Sequence, residues 1–335
     1  MKKLSFVIII LALPGFWLGC GGGGGTYHGS AGSLIEQVRS SLPGDSDPGN
    51  YDLPEELSQC RQFLANGRPR KACKIAGKWI KGNPESPHMD HALYFKARGL
   101  YDRALYYQSF ECFEDLLDRC ASTSHFESAL LFEAGIACEF LSGARRRIWG
   151  FIPVSARTEA VAILERVAQR WPGSELAATV LMIQGNYYFD RGRFLESQHT
   201  YQIIVEGYPN SPHYQPALLG SAAATHSQYL GSDYDTICLD ESLIRYRQYR
   251  NGFPDRATAD KVDQSEDLIN RQKLDKELSI ADFYRRTGKI SSAITYWRYI
   301  TEQWPGTDGS ATAAELIRTH QITDASVKSS GRPDF

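Results

Sequence analysis

Apolar residues recur every three or four positions through most of the chain after Pro54, and polar residues fill the positions between them. This spacing is typical of helices that bury one face. Each apolar run closes in a short polar stretch, and five such stretches carry a proline: KGNPESPHM, QRWPGSELA, EGYPNSPHY, NGFPDRATA and EQWPGTDGS. Because proline cannot donate the next helical hydrogen bond, each stretch predicts the end of one helix and the start of another.

Small and large residues stand in a fixed order before these prolines, at 24, 21, 12 and 8 residues upstream. The order is small, large, small, large, as two facing helices require if their backbones approach closely. It resembles the tetratricopeptide repeat, a helix-turn-helix unit. Ala121 replaces the proline in the second of four such sets, which are Cys60, Phe63, Ala72 and Ala76; Ala97, Leu100, Ser109 and Phe113; Gly185, Tyr188, Ser197 and Tyr201; and Ala281, Tyr284, Ala293 and Trp297.

Two further units fit the same order with inserts. Gly135 and Ala160 are 25 residues apart before Pro172, and Gly220 and Ser242 are 22 apart before Pro254, instead of 12. More residues separate Pro254 from the next small residue, Ala281, than in the other units. These extra residues predict a long helix over about 256–286, and its polar middle, 270–276, is where a break would fall. We therefore predict an all-α, tetratricopeptide-repeat-like superhelical solenoid of about six helix-turn-helix units. The alternative is an unrelated helical bundle with coincidental spacing.

The first twenty residues have the pattern of an export signal. Lys2 and Lys3 precede an apolar run that is short for a membrane span, and Gly19-Cys20 follows. The end of this run resembles a bacterial lipobox, with Trp17 where leucine is usual. We expect a lipoprotein signal peptide over 1–19, a lipidated Cys20, and a flexible Gly-rich tether over 20–53. A cleaved signal without lipid and an uncleaved anchor are the alternatives.

The composition of the chain excludes few classes of binding partner. The formal charge of −2 and the pI near 6.5 give no general electrostatic reason to expect nucleic acid. The six cysteines besides Cys20 lie in runs that read as helix, where small buried packing residues are the expectation. Cys60 and Cys73 are the pair with the best chance of a disulfide, because Cys73 neighbours Ala72, the predicted facing partner of Cys60.

The insert at 144–156 is the most distinctive stretch outside the repeats. Three arginines there, 145–147, stand beside Trp149 and Phe151. Trp and Arg are favoured anchors at protein interfaces, so this insert is a candidate binding loop. Alternatively, its aromatic residues pack under the helices and its arginines stay solvated.

Other candidate chemistry is weak. His88, Asp90 and His91 could bind a metal, but a helix start is the favoured interpretation. Helix and loop capping are likewise favoured over calcium for three aspartates, Asp233, Asp235 and Asp240. The polyglycine run lacks the ending of a phosphate loop, and no nucleophile elbow occurs. We therefore predict no catalytic residue, no metal and no cofactor.

The C-terminal repeats resemble the BamD-like family of outer-membrane assembly lipoproteins. The run Ser279-Ile280-Ala281-Asp282-Phe283-Tyr284, the Gly turn after it, and the stretched unit YLGSDYDTICLDESLIRYRQYRNGFPD carry the likeness. A lipidated cysteine followed by about five such repeats completes it. On this basis, 54–208 are N-terminal repeats, 209–320 are C-terminal BamD-like repeats, and 321–335 are a disordered tail.

The resemblance implies a scaffold instead of an enzyme. Proteins of this family hang from the outer membrane on its periplasmic face, bind the periplasmic domains of the barrel insertase, and are proposed to hold unfolded outer-membrane proteins. For this chain it implies an insertase-facing region at 279–304, with Arg285 and Arg286 as partner-binding residues. Thr287 stands where the family often has arginine.

Two rivals remain. One is a periplasmic tetratricopeptide adaptor for cell-envelope or division machinery. The other is an enzyme such as a peptidoglycan lyase with a helical superhelix, which would need a globular domain for which the repeats leave no room.

Overall fold

A computed structural model describes residues 31–44, 52–148 and 152–330. Within these ranges the chain forms fifteen helices and one two-stranded antiparallel hairpin. The helices are α1 (Ala31–Ser41), α2 (Glu55–Ala65), α3 (Pro69–Gly82), α4 (Met89–Tyr101), α5 (Tyr106–Arg119), α6 (Phe126–Leu141), α7 (Arg157–Arg170), α8 (Glu175–Asp190), α9 (Phe194–Gly207), α10 (Tyr214–His226), α11 (Ile237–Gly252), α12 (Pro254–Ala259), α13 (Val262–Arg286), α14 (Ile290–Gln303) and α15 (Asp308–Ser330). The strands are β1 (Arg145–Ile148) and β2 (Ile152–Ser155).

The predicted all-α array of six helix-turn-helix units is confirmed. The units are α2–α3, α4–α5, α6–α7, α8–α9, α10–α11 and α13–α14, and the two helices of each unit pack against each other. In all six units the second helix ends two residues before the predicted breaker, which is proline in five of them and Ala121 in the other.

The small residues lie where the backbones of paired helices approach. Ser109 on α5 donates its hydroxyl to the carbonyl of Ala97 on α4 at 2.7 Å, and Ser197 on α9 donates to Gly185 on α8 at 2.9 Å. The donor and acceptor are 12 residues apart in both pairs. A hydroxyl that donates a hydrogen bond to a carbonyl of the facing helix can be buried at little cost in free energy. The predicted spacing therefore corresponds to a direct contact between the two helices of a unit.

Three parts of the chain differ from the expectation. The segment 20–53, expected to be flexible, contains α1, whose Val38 is only 2% exposed. The insert at 144–156 includes the β1–β2 hairpin, in which Arg145 pairs with Ser155. The C-terminal tail, expected to be disordered over 321–335, continues as helix α15 as far as Ser330.

The long helix of the sixth unit also differs. The helix is interrupted at Asp260 and Lys261, between α12 and α13, and not within 270–276. Lys261 has a φ of 56° and so takes a left-handed conformation, which interrupts a right-handed helix. The uninterrupted helix α13 then has 25 residues.

Buried apolar residues form three clusters along the array. The first spans α1 to α10, and the second joins α10, α11, α12 and the start of α13. The third, around Trp297, joins the remainder of α13 to α14 and α15. Among the described residues, no helix is both long and apolar enough to cross a membrane.

The six cysteines of the described part of the chain are all free thiols. Cys60 and Cys73 instead each donate to a backbone carbonyl at 3.6 Å, of Ala72 and Lys96 respectively. Burial raises the pKa of the Cys60 thiol to about 11. These thiols are therefore protonated packing groups, while the predicted lipid acceptor, Cys20, lies outside the described residues.

Candidate functional site

The first helices of consecutive units, α4, α6 and α8, form one face of the array, which we call the first-helix face. Helix α1 lies on this face and packs against both α6 and α8. Its apolar residues point toward the array, because Val38 is buried while Glu36, Gln37 and Ser40 are exposed. The first-helix face therefore already holds a short amphipathic helix that lies outside the repeat pattern.

Gly135 on α6 lies against Leu42, the residue that follows α1. A Cβ at Gly135 would lie 3.1 Å from a methyl carbon of Leu42 and 3.4 Å from the hydroxyl of Tyr101. The sequence predicts Gly135 as the small residue that faces the second helix of its own unit. In the structure its missing side chain instead makes room for Leu42.

Polar contacts fix the same segment at its C-terminal end. The Arg39 guanidinium donates to the Glu139 carboxylate at 2.8 Å and to the Ser142 hydroxyl at 3.2 Å. Arg98 on α4 donates to the backbone carbonyls of Pro43 and Gly44 at 2.9 and 3.1 Å. Arg98 therefore holds the two residues after Leu42 against α4.

An open cleft of about 540 Å³ continues beside α1 on the first-helix face. Val38 and Ser41 form one wall. The other wall consists of Leu131, the turn that begins at Trp171, and the first residues of α8. Two acidic residues, Glu127 and Glu175, also line it. Helix α1 therefore covers part of this surface and leaves an acidic, partly apolar part open.

A second cleft, of about 710 Å³, lies between α7 and α9 with α8 beneath. Leu195 is 67% exposed and Ile203 39% exposed there, beside the rings of Tyr188 and Tyr208. Large exposed apolar side chains grouped in a cleft are typical of protein-binding surfaces. Nothing of the described chain covers this cleft.

The structure describes only part of the predicted binding loop, which includes the two strands of the hairpin. The Arg146 guanidinium lies 3.7 Å from the ring centroid of Tyr107 on α5 and 3.4 Å from the Glu159 carboxylate. These contacts hold the base of the hairpin to the array. Trp149 and Phe151, the residues predicted to bind a partner, lie outside the described residues.

Arg285 and Arg286 lie together at the C-terminal end of α13, and both contact Asp282. The Nε atoms of the two arginines are 3.0 and 2.9 Å from its carboxylate oxygens. The hydrogen bond from Arg285 lowers the pKa of Asp282, and the charges of both arginines add to this effect. Phe283, 51% exposed, lies next to them, so this end presents two partly neutralised arginines and an exposed ring.

His125, which sequence reasoning missed, joins two of the weak metal candidates. His91 Nδ1 and His125 Nε2 are 2.7 Å apart, and one ligand atom from each of Asp90, His91 and His125 lies within 4.8 Å of the others. At 2.7 Å the two ring nitrogens share a hydrogen bond. His88, the third metal candidate, does not belong to this cluster.

The repeat itself explains this histidine contact. His91 and His125 are 34 residues apart, and Thr179 and His213 are 34 apart with a 2.9 Å hydrogen bond of the same kind. Both bonds link the first helix of one unit to the residue that precedes the first helix of the next unit. The 34-residue offset in the sequence was the signal that could have identified His125, and it indicates a structural contact between units.

Two of the three aspartates considered for calcium, Asp235 and Asp240, make other contacts. Asp235 accepts a hydrogen bond from the backbone nitrogen of Ile237 at 3.2 Å, just inside the start of α11. Asp240 forms an ion pair with Lys273 of α13.

Two known proteins are similar to parts of this chain. The chain is 22% identical over 145 residues to the outer membrane protein assembly factor BamD of Caulobacter vibrioides. The match covers 43% of this chain and 48% of that protein, so it spans about half of the relative's length. A crystal structure of TTC0263, a thermophilic tetratricopeptide-repeat protein of Thermus thermophilus, aligns with 62% of this chain and 97% of its own, at 18% identity and a TM-score of 0.28. No family model matches the chain.

Proposed function

We propose that this protein is a lipid-anchored scaffold of outer-membrane barrel-protein assembly on the periplasmic face of the outer membrane. One observation carries its role as a binding scaffold: α1, an amphipathic helix outside the repeats, packs against the first helices α6 and α8. Such a surface binds polypeptide segments and provides no reacting groups. The similarity to an outer membrane protein assembly factor over 145 residues supports the assignment to barrel assembly.

The proposal assigns a different partner to each end of the array. The C-terminal units, with Arg285, Arg286 and the exposed Phe283, bind the periplasmic domains of the insertase. The N-terminal units hold unfolded outer-membrane proteins. The third apolar cluster supports this division, because α13, α14 and α15 pack around their own core, separate from the N-terminal units.

The anchor is tested by replacing Cys20 with serine in the full-length chain. Without the thiol there is no lipid attachment, so the variant should leave the membrane fraction for the soluble periplasmic fraction. Unchanged membrane retention would contradict lipid anchoring through Cys20.

The function is tested by affinity capture of the full-length protein after mild crosslinking of intact cells. Recovery of a barrel insertase, enriched over the capture of an unrelated lipoprotein, is the expected result. Recovery of only peptidoglycan or division proteins would assign the chain to the envelope-adaptor alternative and overturn the proposal.

A further inference from the structure

We propose that the first-helix face formed by α4, α6 and α8 is a binding site for an amphipathic, basic helix of a partner protein, and that α1 is its internal occupant. This inference concerns the face assigned above to clients. It does not depend on a role in barrel assembly, because it follows from the contacts of α1 alone.

Helix α1 has the pattern of a helix-in-groove ligand. Leu34, Ile35, Val38 and Leu42 pack against the first apolar cluster. Their spacing of one, four and eight residues from the first places them on one side of a helix. Peptide helices that bind grooves show the same kind of anchor spacing.

The face provides a matching hole for one anchor. Gly135 lies under Leu42, and the 3.1 Å distance from its Cβ position means that an alanine there would already press on the leucine side chain. Gly185 and Gly220, the corresponding glycines of the next two units, instead lie against Tyr201 of the array itself. Among these three glycines, Gly135 is therefore the one that accommodates a residue from outside the repeats.

The charges of the face define the partner further. Glu139 binds Arg39 of α1, one residue after the buried Val38. Glu127 and Glu175 line the cleft of about 540 Å³ that α1 leaves open. A partner helix with an arginine or lysine at the position of Arg39, and further basic residues toward this cleft, would satisfy all three carboxylates.

Displacement of α1 is physically reasonable because this helix is short. An isolated helix of 11 residues is marginal in water, so α1 depends on its contacts with the face to stay folded. A longer helix that also fills the open cleft would bury more apolar surface than α1 does and would compete with it.

The test uses the full-length protein and a fluorescent peptide with the sequence of residues 31–44. Val38→Asp should release α1 from the face, because it would place a charge in a site that is 2% exposed. The matched control is Ser40→Asp, which adds the same charge on the exposed side of α1. We expect the peptide to bind the V38D protein at least about tenfold more tightly than it binds the wild type or S40D, a difference of about 1.4 kcal/mol.

A charge exchange guards against misfolding of the first variant. Adding Glu139→Lys to the V38D protein should abolish binding of the natural peptide, and a peptide with Arg39→Glu should restore it. Equal peptide binding by V38D, S40D and wild type would overturn the proposal. A wild-type dimer that becomes monomeric in V38D would also overturn it, since the face would then belong to a second copy of the chain.

Discussion

The ring of Tyr201 on α9 lies so close to Gly185 on α8 that a Cβ there would be 2.6 Å from ring carbon Cε1. Gly220 on α10 lies on the other side of the same ring, with a corresponding distance of 2.8 Å. Tyr201 is fully buried, and its hydroxyl is 2.6 Å from the Oδ1 atom of Asn186. One side chain therefore fixes the spacing of three helices from two units.

Gly185→Ala should destabilise the array, because the added methyl cannot fit without moving Tyr201 or the backbone. We expect the free energy of unfolding to fall by about 1–3 kcal/mol in urea denaturation. The control is Gly77→Ala in the middle of α3, where nothing lies within 4 Å of the new Cβ. That change should raise the free energy of unfolding by about 0.5–1 kcal/mol through helix propensity. Equal effects of the two changes would contradict the packing described.

Ala104 should be a stabilising site for glycine. Its φ is 53°, and it occupies the turn position taken by Gly67, Gly192 and Gly288 in other units. Alanine is strained in this left-handed conformation and glycine is not. We expect Ala104→Gly to raise the free energy of unfolding by about 0.5–1 kcal/mol and to raise the melting temperature with it. Gly192→Ala should lower the free energy of unfolding by about 1 kcal/mol. A lower stability for A104G would contradict the conformation of this turn.

Glu133 on α6 should make stability depend on pH. Both of its carboxyl oxygens are buried without a hydrogen-bond partner among the described residues. Burial raises the pKa of Glu133 well above its usual value near 4.5, the neighbouring Glu114 raises it further, and Arg170 opposes the shift. The folded protein therefore keeps a proton that the unfolded chain releases.

It follows that the contribution of Glu133 to stability is fully present below pH 4.5 and is lost as the pH rises toward the folded-state pKa. Glu133→Gln removes this titration. The advantage of E133Q over wild type in urea denaturation should therefore grow as the pH rises above 4.5. The same change at the exposed Glu127 is the control, and a pH-independent difference for E133Q would refute the assignment.

Arg285 and Arg286 provide a test of the C-terminal binding region. Reversal of both charges to glutamate should reduce capture of the insertase by at least about tenfold, as expected for paired interface arginines. The matched control is the double reversal of the exposed Arg68 and Arg70 in the first unit, which changes the net charge equally. Asp282→Asn offers the opposite prediction, since it frees both arginines and should strengthen capture. Unchanged capture for all three variants would contradict this placement.

The sequence predicts the units well because their signals are local and repeat. Each breaker, each small residue and each turn glycine acts on residues within one or two helices, so its position alone indicates the structure. Gly185 and Ser197 show this, since their spacing predicted a close approach of the two helices, and Ser197 donates to the Gly185 carbonyl at 2.9 Å.

The features that were missed depend on distant residues. Helix α1 is held by contacts such as Arg39 with Glu139, 100 residues away, and its own sequence is too short to indicate a stable helix. The break at Lys261 carries no glycine or proline, so no residue type indicated it. The partner-binding residues stay predictions, because a protein-binding surface has no reactive groups whose chemistry fixes their identity.

Depletion of this protein in its native cell, with the folded barrel proteins of the outer membrane as the readout, is the most direct test of a role in barrel assembly. Heat-modifiable migration separates folded from unfolded barrels in the isolated outer membrane. Folded barrels should fall as the protein is depleted, and wild-type protein should restore them while the Arg285 and Arg286 double reversal should not. Undiminished folded barrels in depleted cells, with defects confined to division or cell shape, would contradict a role in barrel assembly.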